Sequence, residues 1–109
     1  MYSSTFIFAT GHFDDEFHRL DQQIAEMARS IPGYLGEETW DNQKTGLTSN
    51  VYYWDSLESL QKLVEHPKHR EAKRKKGNWL AGYQVVIAQV LRTYGDSKLN
   101  TLLPIHSEA

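Results

Sequence analysis

The sequence contains no cysteine, which excludes a disulfide framework, a thiolate nucleophile and any thiolate metal site. No apolar run approaches the roughly 20 residues that span a bilayer, and no basic region followed by an apolar stretch opens the chain. Glycine-rich phosphate loops and the nucleophile-elbow pattern are also missing. A formal net charge of −2 gives no global attraction to nucleic acid or to an anionic membrane. With 109 residues the chain has the length of one domain with a single core. These absences lead us to expect a cytoplasmic protein that engages neither membrane nor nucleic acid.

What is present is a clear alternation of patterns. Ser3 to Thr10 reads as a strand, with Phe6 and Phe8 on one side and Ile7 and Ala9 on the other. After Gly11, acidic Asp14, Asp15 and Glu16 suit the first turn of a helix. Phe13, Phe17, Leu20, Ile24, Met27 and Ile31 then recur at spacings of three and four, one apolar stripe that ends at Pro32-Gly33. Tyr34 to Asp41 and Thr48 to Trp54 read as strands joined by a short polar link, hence an antiparallel hairpin. Ser56 is a candidate helix N-cap before Leu57, Leu60 and Val64. Pro67 ends or kinks that helix, a further turn or two follows to Lys76, and Gly77 stops it. Tyr83 to Leu91 is a fourth strand, apolar on both faces.

The predicted class is α+β: a ferredoxin-like β-α-β-β-α-β domain with a four-stranded antiparallel sheet. It spans residues 1–96, and residues 97–109 form a tail. Leu99, Leu102, Leu103 and Ile105 make that tail too apolar for a solvated end, so it is expected to dock, with a partner subunit as the candidate surface. Two helices cover only one face of such a sheet. A second apolar face would exceed the roughly 300–600 Å² patch that monomers expose. Closing it with a second copy would gain about 25 cal/mol per Å² of apolar area. We therefore expect a homodimer through the sheet face, the two sheets forming an αβ barrel.

Several residues are candidates for chemistry. His69 titrates near neutral pH and shares a helical face with Ala72 and Lys76, which turns it toward the sheet. The plainer alternative is a half-buried histidine capping a carbonyl at the Pro67 kink. His66 lies three residues earlier, a spacing compatible with paired metal ligands, but Pro67 disturbs it and no carboxylate completes a set. We expect no metal and assign His66 to ligand contact. His12 and His18 lie before and in the first helix, and His18 follows core residue Phe17, so it faces solvent. Trp54, Trp79 and Tyr83 are the aromatic side chains placed to shape a pocket for a planar ligand, although any one of them can equally be core. The cations from Lys68 to Lys76 read as a solvated helix face, with no nucleic-acid reader motif beside them.

Taken together, YYWDSLESLQKLVEHPKHREAKRKKG followed by GYQVVIAQVLRTYGD resembles the antibiotic biosynthesis monooxygenase domain family. The similarity runs from about Phe6 to Asp96. It includes Ile31-Pro32-Gly33-Tyr34 before the second strand, Trp54-Asp55-Ser56 after the third, His69 in the second helical stretch, and Val90-Leu91-Arg92-Thr93-Tyr94-Gly95 at the close. The resemblance implies a dimeric ferredoxin-like αβ barrel and, as its activity, cofactor-independent oxygenation of a small aromatic, polyketide-like or quinone-like compound. His69 would then be the acid/base or orienting group. The alternatives it leaves are a non-catalytic small-ligand or stress-response protein, and haem binding. Haem-degrading members carry an asparagine on the first strand, a tryptophan in the second helix and a histidine ligand late in it. Here the first strand has no asparagine, and the other two positions fall on Leu63 and Lys73. We therefore expect no cofactor.

Overall fold

The computed structural model describes residues 1–11, 13–75, 77 and 79–103. The elements run β1 (Tyr2–Thr10), α1 (Asp15–Ser30), β2 (Tyr34–Asn42), β3 (Leu47–Trp54), α2 (Leu57–Glu65), α3 (Pro67–Lys75) and β4 (Leu80–Gln89). The strands form one sheet in the order β2-β3-β1-β4. Every pairing is antiparallel. This is the ferredoxin-like order expected from the sequence, with the second helical stretch divided into α2 and α3. The division falls at Pro67 because a proline supplies no amide hydrogen to the preceding turn, and His66 before it is already extended, at φ −65° and ψ 139°.

Local chemistry sets the ends of the helices. Asp14 caps α1 by accepting from the Phe17 amide at 2.9 Å, and Ser56 caps α2 by accepting from the Ser59 amide at 3.2 Å. Between β2's start and the β3–α2 corner, Gly33 takes φ +99°. Its missing side chain leaves room for Asp55 and Ser59. Ser59 is buried but satisfied, its hydroxyl donating to the Pro32 carbonyl at 2.7 Å. A Cβ at position 33 would overlap both Asp55 and Ser59 and would strain the backbone. Gly33→Ala is therefore expected to destabilise the fold by roughly 1–3 kcal/mol, read as a lower urea midpoint at unchanged slope.

Cross-strand register divides the residues between two faces. Phe6 stands opposite Asn50 on β3 and Val85 on β4, so these three share the face that the helices cover. Ile7, Trp40, Val51 and Val86 belong to the other face. The core on the helix side gathers Ala28, Trp54, Leu60 and Leu63, with Tyr34, Tyr52 and Ile24 packed around them. Leu57 departs from the expected apolar stripe of α2. It is 51% exposed, because as the first helical residue it precedes the turn that Leu60 and Leu63 press against the sheet.

The largest departures from the boundaries read in the sequence are at the two ends of β4. β4 begins at Leu80 and ends at Gln89, not at Tyr83 and Leu91. Across a register shift at Ala9/Thr10, Thr10 pairs with Leu80, and Tyr2 pairs with Gln89 at the other end. The span of β1 thus sets the span of β4. In the tail, Leu102 lies where a Gly36 side chain would be, on the outer face of the same chain. His12, Lys76 and Ile105 lie outside the described residues.

Candidate functional site

Between the helices and the sheet lies a cavity of about 360 Å³, at the lower end of the range typical of small-molecule sites. α1 supplies Phe17, Leu20, Asp21 and Ile24; α2 supplies Leu60, Leu63 and Val64; α3 supplies His69, Ala72 and Lys73. The sheet contributes Phe6, Asn50, Tyr52, Tyr83, Val85 and Ile87, and Trp79 comes from the link into β4. The lining is apolar except at a few points. On the edge strand β4, Val85 and Ile87 stay more than half exposed, at 52% and 53%.

The candidate residues separate into three positions. His69, Trp79 and Tyr83 all line the cavity. Trp79 is 3% exposed and meets Phe17 edge to face at 5.4 Å, and Tyr83 lies against Phe6 at 5.8 Å. Trp54 sits deeper, fully buried beneath the wall, with its indole N–H donating to the Ser4 hydroxyl at 3.2 Å. Tyr52 stacks on it at 6.2 Å, so Trp54 supports the wall rather than forming it. His66 stands apart from the lining, and its Nδ1 accepts from the Lys68 amide at 3.1 Å at the start of α3. The expected exposure of His18 is observed.

His69 has two unlike ring nitrogens. Nδ1 is buried and has no well-formed hydrogen bond among the described residues. Burial lowers the imidazole pKa, the Lys73 cation one turn away lowers it further, and the Val64 backbone carbonyl opposes both in part. The ring is therefore neutral at physiological pH, the form that accepts a proton.

A second polar region was not singled out in the sequence. Asp21, Asn50 and Tyr52 line the cavity from α1 and β3. Thr39 donates to Asn50 Oδ1 at 2.9 Å, so the amide's donor side is the one turned away from β2. Burial raises the Tyr52 phenol, with Glu37, Asp21 and Tyr34 adding to it. Burial also raises the Asp21 carboxyl, against the charge of His18 and with that of Glu37. The signals for these residues were in the sequence. Asp21 lies four residues after Phe17 and three before Ile24, within the apolar stripe, and Asn50 and Tyr52 share Trp54's face by alternation. Their polarity hid them as members of that stripe and that face.

Cations of α3 divide by partner: Lys75 forms an ion pair with Glu16 of α1, whereas Lys73 is on the cavity wall. Among the described residues no helix is long and apolar enough to cross a membrane.

Comparison with known proteins places this arrangement. No family model matches the chain. The uncharacterized protein YqjZ of Bacillus subtilis is 30% identical over 80 residues, covering 72% of this chain and 69% of YqjZ. The chain belongs to the YqjZ family. Solved structures share its fold at much lower identity. Rv0793 from Mycobacterium tuberculosis matches at TM-score 0.70 and 12% identity, covering 86% of this chain and 98% of its own. SnoaB, a cofactor-independent oxygenase from Streptomyces nogalater, matches at 0.70 and 9%, covering 87% and 97%. A candidate antibiotic biosynthesis monooxygenase from Deinococcus radiodurans matches at 0.69 and 15%, covering 88% and 98%. This YqjZ-family chain thus has the fold of antibiotic biosynthesis monooxygenase domains, which bears out the resemblance at the level of the fold.

Proposed function

We propose that the protein is a cofactor-independent monooxygenase acting on a small aromatic or quinone-like molecule held between the helices and the sheet. The observation that carries this reading is His69, a histidine held neutral on the wall of an apolar cavity. With its proton on Nδ1, Nε2 takes a proton from the substrate, and the resulting carbanion adds dioxygen. One oxygen stays in the product and the other leaves as water, the substrate supplying the electrons. Asn50 is placed to donate to the oxygen on which the substrate's charge is delocalised. The apolar lining excludes water from the reacting carbon. The relation to SnoaB supports the oxygenase class.

The test is oxygen uptake with a panel of anthrones, hydroquinones and naphthols, using labelled dioxygen. We expect substrate-dependent uptake with one labelled oxygen in the product. Saturable binding of the same compounds without uptake would replace this reading with that of a ligand-binding protein.

We also infer that the outer sheet face pairs with a second copy. On that face Trp40 is 62% exposed and Val86 40%, beside half-buried Ile7 and Val51. A dimer in light scattering at micromolar concentration is the expected result, and a monomer there overturns it.

A further inference from the structure

The cavity has two polar regions on different walls, and they ask for different things from a ligand. The first is Asp21 with Tyr52. In the β2–β3 ladder Tyr52 stands opposite Glu37. Glu37 is itself fixed, accepting from the Tyr34 hydroxyl at 3.0 Å and from Arg29 Nε at 2.7 Å. The Tyr52 hydroxyl on that face can accept from a ligand as well as donate to it. Asp21, when ionised, offers only acceptors. Asp21 therefore calls for a donor on the ligand, which a hydroxyl supplies and a carbonyl or an ether does not, and the Tyr52 oxygen can accept from the same kind of group.

The second region is on α3. Lys73 follows His69 by one turn and lines the same cavity. No ion pair among the described residues takes it, whereas its neighbour Lys75 is engaged with Glu16. α3 carries Lys68, Arg70, Lys73, Arg74 and Lys75 against one acid, Glu71. This wall is positive, and a ligand anion is what would compensate it. Asp21 acts electrostatically on Tyr52 and Lys73 acts on His69. Much of the remaining lining is apolar, with Phe17, Leu20, Ile24, Leu60, Leu63 and Trp79.

We propose that the cavity selects small aromatic anions bearing a hydroxyl remote from the anionic group, with Asp21 and Tyr52 reading the hydroxyl and Lys73 the anion. This inference rests on the reading that the cavity binds a small aromatic molecule, and it names the residues that set its specificity. Reversal of either polarity on the ligand leaves a charge or an acceptor facing its like, which is how such a site rejects the wrong compound.

The experiment uses four probes: 6-hydroxy-2-naphthoate, 6-methoxy-2-naphthoate, 2-naphthoate and 2-naphthol, titrated calorimetrically into the full chain. 6-Hydroxy-2-naphthoate is expected to bind best, with loss or methylation of the hydroxyl, or loss of the carboxylate, each weakening it about tenfold. Both Asp21 and Lys73 are exposed enough for substitution to leave folding intact. Asp21→Ala should erase the advantage of the hydroxyl and keep that of the carboxylate, and Lys73→Met should do the reverse. Equal affinity of all four probes, or equal weakening of all four by either variant, overturns the inference while leaving the cavity as a ligand site. Failure of all four to bind overturns both.

Discussion

His69→Ala is expected to lower oxygen-dependent turnover by about 10²–10⁴-fold, the usual contribution of a positioned acid/base group. Its effect on KM should be small beside its effect on kcat, because the lost proton transfer belongs to the transition state. Folding should survive, since the ring is only half-buried and belongs to no part of the buried core. The pH profile supplies a second readout. Burial and Lys73 both depress the His69 pKa, so the native state holds this ring neutral where the unfolded chain, near its ordinary value of 6.5, begins to take up a proton. The unfolded state then binds more protons, and stability rises with pH across that interval. Stability from this group is thus present above the unfolded value and lost as pH falls through the depressed native one. The groups facing the ring are Lys73 on its own helix and the Val64 carbonyl from α2. The wild type should retain proton-accepting activity below pH 6.5, and His69→Ala should lose part of the acid destabilisation seen in urea titrations. Full activity in the alanine variant would remove His69 from the mechanism.

Trp54→Ala should have the largest effect on stability, about 3–5 kcal/mol. That is a large share of the roughly 5–15 kcal/mol by which domains are stable. Trp54 is completely buried and touches Tyr34 at 5.9 Å and Tyr52 at 6.2 Å. Its loss would open a hole among Ala28, Leu60 and Leu63 and leave the Ser4 hydroxyl without its indole donor. Because Tyr52 stacks on the indole, the cavity wall should loosen as well, so ligand affinity falls with stability. Leu57→Ala, at an exposed site on the next helix, should change stability by no more than about 0.5 kcal/mol. Urea unfolding followed by circular dichroism separates the two, and equal midpoints for both variants would show that the core is not organised around Trp54.

Much of the fold was legible in the chain because its signals are local. Alternation in β1, the three-and-four spacing from Phe17 to Met27, the Ser56 cap and the Pro67 break each depend on neighbours in sequence. The extent of β4 was not, because its hydrogen bonds are made to β1, and that strand's length and the shift at Ala9/Thr10 decide which residues are recruited. Leu57 was misplaced for a related reason: spacing alone cannot say which turn of a helix reaches the sheet.

For the site, the sequence by itself determined that His69 stands on a short helix after a proline, among aromatic residues and cations, with no thiol chemistry available. Only the tertiary structure decided which of these residues meet. It brought Trp79 and Tyr83 to the wall beside His69, set Trp54 beneath it and used His66 as a cap. It also turned Lys73 and Asp21 toward one cavity from two helices, a meeting invisible in sequence because 52 residues separate them, by their numbering. The physical reason is that a helical face has meaning only once something packs against it. The antiparallel sheet, by holding α1, α2 and α3 on one side, is what makes those faces converge.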